Sequence, residues 1–125
     1  VPVSVFFFLI LFLSAPTAAA REGFATFYTK ESCIAEKNSG IWTASGERFN
    51  ENALTCALPH RRFGGLYVVY SHATGRSVVV RHTDLGPGQK ARKRAVIVDL
   101  TPRAFQEVCG DLKQGKCMVS TQEIQ

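Results

Sequence analysis

Cysteine is scarce in this 125-residue chain and widely spaced: Cys33, Cys56, Cys109 and Cys117. No two have the short gap, about two to four residues, of a zinc knuckle, so neither a structural metal nor any other cofactor is expected. Long apolar runs are missing too. VFFFLILFL at Val5–Leu13 has nine residues, and a bilayer span needs about 20. Internal repeats, linkers and low-complexity tails are absent from these 125 residues. Acidic residues are outnumbered, 10 Asp and Glu against 15 Lys and Arg, for a net charge of +5. Such a surface is drawn to polyanions. No base-reading element accompanies the charge, so nucleic acid is not the expected partner. Cell-wall polymers and anionic lipid headgroups are.

What is present begins with a leader-like segment. The apolar run is followed by SAPTAAA and then Arg21. An apolar core, a proline and a small-residue site in that order form a secretory signal. Cleavage is expected after Ala20, leaving residues 21–125 as one domain. That domain carries the whole net charge. The expected product is a soluble monomer, secreted or periplasmic, with no membrane anchor after cleavage. An even number of cysteines in an exported chain suggests two disulfides. Three pairings are formally open. Cys109 and Cys117 bracket the short loop GDLKQGK, which favours Cys33–Cys56 with Cys109–Cys117. Each bridge would add about 2–4 kcal/mol.

Strand signals dominate. EGFATFY at Glu22–Tyr28 reads as a first strand, and Thr29–Gly40 as a polar loop. Ile41–Leu58 holds no single period and reads as short strands and turns. LYVVYS, SVVVRHT and AVIVDL are strong strands, the first two joined by the turn HATGR. One helix is clear. Thr101 can cap it, Pro102 suits its first position, and Gly110 can end it. CMVSTQEI at Cys117–Ile124 makes a last strand. KARKR at Lys90–Arg94 is the densest basic cluster and reads either as a patch that draws polyanions or as a solvated loop. The fold class is therefore mostly β, with one short helix near the C-terminus. A closed barrel of about six strands suits the length, because closure removes sheet edges, and a sandwich is the alternative.

Several stretches occur together and in order: ATFY at Ala25–Tyr28, TASGERF at Thr43–Phe49, NALT at Asn52–Thr55, FG at Phe63–Gly64, GRSVVVR at Gly75–Arg81, D-x-GP at Asp84–Pro87 and VDLT at Val98–Thr101. Together they resemble the double-psi β-barrel domain of the rare lipoprotein A family, over about Gly23 to Val119. The resemblance implies a six-stranded barrel whose crossed loops form the psi motifs. Some members are lytic transglycosylases that cut peptidoglycan glycan strands, and expansins share the barrel. This chain departs from the family pattern in places. Where the family reads AHRTLPFG, the chain reads CALPHRRFGG, so Leu58 stands at the histidine's place. DRGP becomes DLGP, with Leu85 after the aspartate.

A transglycosylase must protonate a glycosidic oxygen and then take a proton from the sugar's 6-hydroxyl. One carboxyl group can serve both steps, whereas ordinary glycosidases use two. The resemblance makes Asp84 that group. His82 lies two residues before it, and strand alternation puts the pair on one face. His60 can serve only if its loop shifts. Asp99 is expected to tie down the crossed loops or to act as a second carboxylate. Tyr28 is a candidate sugar-stacking ring, and Trp42 is expected in the core. Thr43, Ser45 and Glu47 are expected along the groove, with Glu47 paired to Arg48 or Arg61. Three functions suit these residues: an exported peptidoglycan lytic transglycosylase, a non-catalytic expansin-like binder of wall glycan, and a secreted effector or inhibitor that binds a protein.

Overall fold

The computed structural model describes residues 19–36 and 41–124. The apolar run Val5–Leu13 lies outside the described residues. Among those described, no helix is long and apolar enough to cross a membrane.

Six strands form a closed barrel: β1 (Arg21–Phe27), β2 (Thr55–Leu58), β3 (Leu66–Tyr70), β4 (Ser77–Leu85), β5 (Val96–Leu100) and β6 (Cys117–Ile124). Around the barrel the order is β1-β5-β2-β4-β3-β6. The pairs β1–β5 and β2–β4 are parallel, and the other pairings are antiparallel. Inward positions are small or β-branched: Ala25, Cys56, Val69, Val78, Val80, Val98, Leu100 and Val119 are all buried. Side chains of this size fill a narrow barrel without a central void. Gly23 allows β1 to approach β5, since a Cβ there would stand 2.5 Å from Ile97 Cγ2 and 2.6 Å from the Ala95 carbonyl.

Among the described residues, three α-helices flank the barrel: α1 (Lys30–Glu36), α2 (Gln89–Lys93) and α3 (Pro102–Cys109). In α3, the hydroxyl of Thr101 accepts the amide of Ala104, Pro102 begins the helix, and Gly110 ends it with φ 97°. Its buried face is Ala104, Phe105, Val108 and Cys109. Phe105 meets Phe27 of β1 at 5.0 Å between ring centroids.

The segment expected as a loop at Thr29–Gly40 contains α1. Its start is fixed by a reciprocal cap, in which the Thr29 amide donates to Ser32 Oγ and the Ser32 amide to Thr29 Oγ1. The KARKR cluster is likewise largely helical, as α2, which ends with Ala95 in the left-handed conformation at φ 64°. Ile41–Ala53 contributes no strand. It holds one isolated bridge, Trp42 to Arg48, within a series of turns.

Cys109 and Cys117 are bonded, tying the end of α3 to the start of β6. The expected Cys33–Cys56 bridge is not formed, and both residues are thiols. Cys56 belongs to the barrel core, whereas Cys33 borders a surface groove together with Ala57, the next residue of β2. The two sulfurs thus serve different sides of the β2 wall. Burial, aided by the charge of Asp99, pushes the Cys56 thiol up to about 12, so it stays protonated and unreactive.

Candidate active site

The groove that Cys33 borders lies over one end of β2, β4 and β5. Its volume is about 380 Å³, and Tyr28, Trp42, Thr43, Asp84, Pro87 and Asp99 are among its lining residues. Its floor is a row across three adjacent strands. Ala57 of β2 is paired with Asp84 of β4 on one side and with Asp99 of β5 on the other. Two strand spacings separate the aspartate backbones by roughly 9–10 Å. The methyl of Ala57 is the only side chain between them in that row. Gly86 follows closely, with φ 151°, and a Cβ there would stand 3.4 Å from Ala57 Cβ. A small residue and a glycine thus keep the floor between the carboxylates clear.

Asp84 is held from three directions. Its Oδ1 accepts the amides of Ala44 and Leu85, each at 2.9 Å, and Oδ2 accepts the Tyr28 hydroxyl at 3.2 Å. The Ala44 amide comes from the TASGE turn. That turn is closed by the Gly46 amide on the Thr43 carbonyl and docked on β4 by the Ser45 amide on the Thr83 carbonyl. The motif therefore acts on Asp84 chiefly through its backbone. Of its polar side chains, Thr43 lines the groove. Ser45 bonds Thr43 and Glu47, bracing the turn. Glu47 pairs with Arg81 through two contacts of 2.7 Å, rather than with Arg48 or Arg61. Those contacts hold the Glu47 carboxyl below its usual range.

Tyr28 stacks on Phe49 with ring centroids 4.5 Å apart, so one ring face is already covered. Burial, and then the charges of Asp84 and Asp99, raise its phenol far above the ordinary range. It remains a hydrogen-bond donor to Asp84. Trp42 is not a core residue. It is 56% exposed at the groove, because the turns around it offer no apolar layer to cover its ring. Asp99 lines the groove and accepts the Thr26 hydroxyl at 3.1 Å.

The two histidines do not join the groove. His82 is fully buried, with ring contacts to His60, Phe63 and Tyr67. Its Nδ1 lies 3.1 Å from the Arg62 carbonyl and its Nε2 lies 2.9 Å from the Asp84 carbonyl. The expected alternation fails because the ladder is bulged. Cys56 faces His82 and Ala57 faces Asp84, so one step along β2 matches two along β4. The extra residue, Thr83, reverses the phase. His60 lines a separate cavity of about 190 Å³ with Arg21, Arg62, Tyr67 and Glu123. Its Nε2 lies 3.2 Å from the Tyr67 hydroxyl. Burial, then the charges of His82 and Arg62, lower its pKa. Leu58, at the place of the family's histidine, is buried in the core.

Residues 20–121 match the model of the lytic transglycolase family. The chain belongs to this family, the double-psi β-barrels akin to rare lipoprotein A. The endolytic peptidoglycan transglycosylase RlpA of Pasteurella multocida (strain Pm70) is 37% identical over 89 residues, covering 71% of this chain and 27% of that protein. A probable endolytic peptidoglycan transglycosylase RlpA of Nostoc sp. (strain PCC 7120) is 40% identical over 83 residues, covering 66% of this chain and 20% of that protein. The chain thus spans about a fifth to a quarter of the curated relatives it matches. Among solved structures, the Streptomyces papain inhibitor superposes with a TM-score of 0.63 at 19% identity, covering 88% of this chain and 98% of that one. A Clavibacter michiganensis expansin mutant follows at 0.62 and 19%, covering 86% and 51%. These two share the fold.

Proposed function

We propose that the chain is an exported peptidoglycan lytic transglycosylase domain with Asp84 as its acid and base. One observation carries this reading: a carboxyl group immobilised by three donors on the floor of an open groove. The names of the matched relatives supply the substrate class. Two amides hold Oδ1, which leaves Oδ2, with its longer tyrosine contact, to exchange the proton. In the first step Asp84 gives its proton to the glycosidic oxygen, and the bond to the anomeric carbon breaks. In the second, the 6-hydroxyl of the same sugar bonds to that carbon and returns a proton to Asp84. The product carries a 1,6-anhydro ring, and no water is consumed. Asp99, across the methyl of Ala57, sets a second negative charge near the developing cation. The exposed Trp42 ring offers a face for a sugar.

Muropeptide analysis after incubation with purified cell wall tests the proposal. The native protein is expected to release anhydro-ended fragments, and Asp84→Asn to lose about 10³-fold of that activity. Absence of anhydro ends with the native protein, beside a working control enzyme, refutes it.

The second reading is a wall-glycan binder without catalysis. It is favoured by the lack of any imidazole among the described groove residues. It predicts sedimentation with insoluble wall and no released product from either native protein or Asp84→Asn.

A further inference from the structure

The cavity at His60 plays no part in the proposed reaction. Arg21, Arg62, Glu123, His60 and Tyr67 line it, and Leu58 and Ile97 give it an apolar wall. No described residue lines both this cavity and the groove. Strand alternation turns its charged residues inward. Residues 21, 23 and 25 share one face of β1, and residues 119, 121 and 123 share one face of β6; Ala25, Val119 and Thr121 on those faces are buried. Glu123 is paired with Tyr67 across β6 and β3. A Cβ on Gly65 would stand 3.3 Å from Tyr67 Cε2 and 3.5 Å from Glu123 Oε1, so the carboxylate lies beside the phenol ring. The hydrogen bonds of His60 fix one further donor. Its Nδ1 accepts the Arg62 amide at 3.2 Å, so the neutral ring carries its proton on Nε2 and gives it to the Tyr67 hydroxyl. That hydroxyl keeps its own hydrogen for another acceptor. Among the described residues, no ion pair joins Glu123 to Arg21 or Arg62. The charges of all three nevertheless act on His60. Both signs therefore share one wall without meeting, and a molecule carrying both can bridge them. A bare carboxylate would gain the guanidiniums and be opposed by Glu123, and a bare amine would meet the reverse. An α-amino acid carries its two charges on one carbon. The volume, about 190 Å³, suits a single small molecule, since drug-sized ligands occupy roughly 300–1,000 Å³.

We propose that this cavity binds a free aliphatic α-amino acid, with its carboxylate on Arg21, Arg62 and the Tyr67 hydroxyl, its ammonium on Glu123, and its side chain against Leu58 and Ile97. A residue inside a peptide lacks both charges, and one at a peptide end lacks one of them, so neither suits the site. The inference does not depend on the reaction at Asp84.

The test is a proton NMR titration that follows the His60 ring, which lines the cavity, and the indole of Trp42, which lines the groove. The probes are leucine, 4-methylpentanoate, which lacks the amine, 3-methylbutylamine, which lacks the carboxylate, and the dipeptide alanyl-leucine. Leucine should shift the His60 signals and leave Trp42 in place. It should bind about tenfold more tightly than each of the other three, because each of those forfeits a charged contact. Glu123→Gln should erase the preference for leucine over 4-methylpentanoate, and Arg62→Gln the preference over 3-methylbutylamine. Lys113→Gln, outside both cavities, should change neither. No shift of His60 with leucine up to about 50 mM overturns the site. Leucine and 4-methylpentanoate binding equally overturns the role of Glu123, and alanyl-leucine binding as tightly as leucine overturns the assignment to a free amino acid. A shift of Trp42 alone moves the ligand to the groove and overturns the site as well. The probe series on the native protein decides the matter without any variant, and equal melting temperatures certify that the variants are folded.

Discussion

His82 and Asp84 are separated by one residue of a single strand and live in different worlds. His82 is sealed under a loop, its ring clamped between two backbone carbonyls. Asp84 faces a cleft large enough for a sugar, and its acceptors are served by amides and a phenol. One extra residue, Thr83, accounts for the division. The bulge turns a strand that would place an imidazole and a carboxyl side by side into one that assigns them to opposite tasks. His82 joins the loop at 59–65 to the barrel. Asp84 is left facing the groove. A local change in strand phase can thus decide which titratable groups cooperate, without any change in sequence spacing.

Substitutions can break this division. The largest effect is expected for Asp84→Asn, with its roughly thousandfold loss of product and a near-native melting temperature. His82→Ala should do the reverse. It empties a buried site and removes the ring N–H from a backbone carbonyl, costing about 2–4 kcal/mol in urea unfolding, while the remaining folded protein keeps its activity per molecule. Ala57→Leu should fill the floor between Asp84 and Asp99 and weaken wall binding about tenfold, with a smaller loss of stability. A lesser effect belongs to His60. Its folded-state pKa lies below the unfolded value of about 6.5, so the unfolded chain binds more protons there. Stability should therefore fall as pH drops through and below about 6.5, and His60→Gln should flatten that part of a pH series of melting temperatures. The smallest change is expected for Glu47→Gln. Its pair with Arg81 is 43–45% exposed, so about 0.5 kcal/mol or less should be lost, and less again in high salt.

Much of the barrel was legible. Five strands announced themselves as β-branched or aromatic runs, and α3 by Thr101, Pro102 and Gly110 at its ends. Those signals are local, and the structure obeys them. The first turn of α1 was also written locally, in Thr29 and Ser32, but a run of polar residues masked it. α2 carries almost no apolar signal because it buries nothing. At the site, Asp84 was singled out chiefly by the family resemblance, and it lines the groove at the end of β4. Tyr28 was singled out as well, although its ring is stacked on Phe49 and its hydroxyl is what serves the groove. What sequence could not supply was long-range phase. The bulge at Thr83, the pairing of Glu47 with Arg81 and the separation of Cys33 from Cys56 all depend on which strands become neighbours. The same holds for the amide of Ala44, since a backbone donor leaves no mark in a list of side chains.

The seam of the barrel has a further consequence. β6 lies between β1 and β3, so the last eight residues of the sheet hold the first strand to the third. Until they arrive, both of those strands keep an open edge, and there is no smaller sheet that is complete in itself. A chain still being made, or one clipped before Cys117, therefore has no halfway shelter. The barrel closes only with the tail, and then β1 and β3 gain their second neighbours at once.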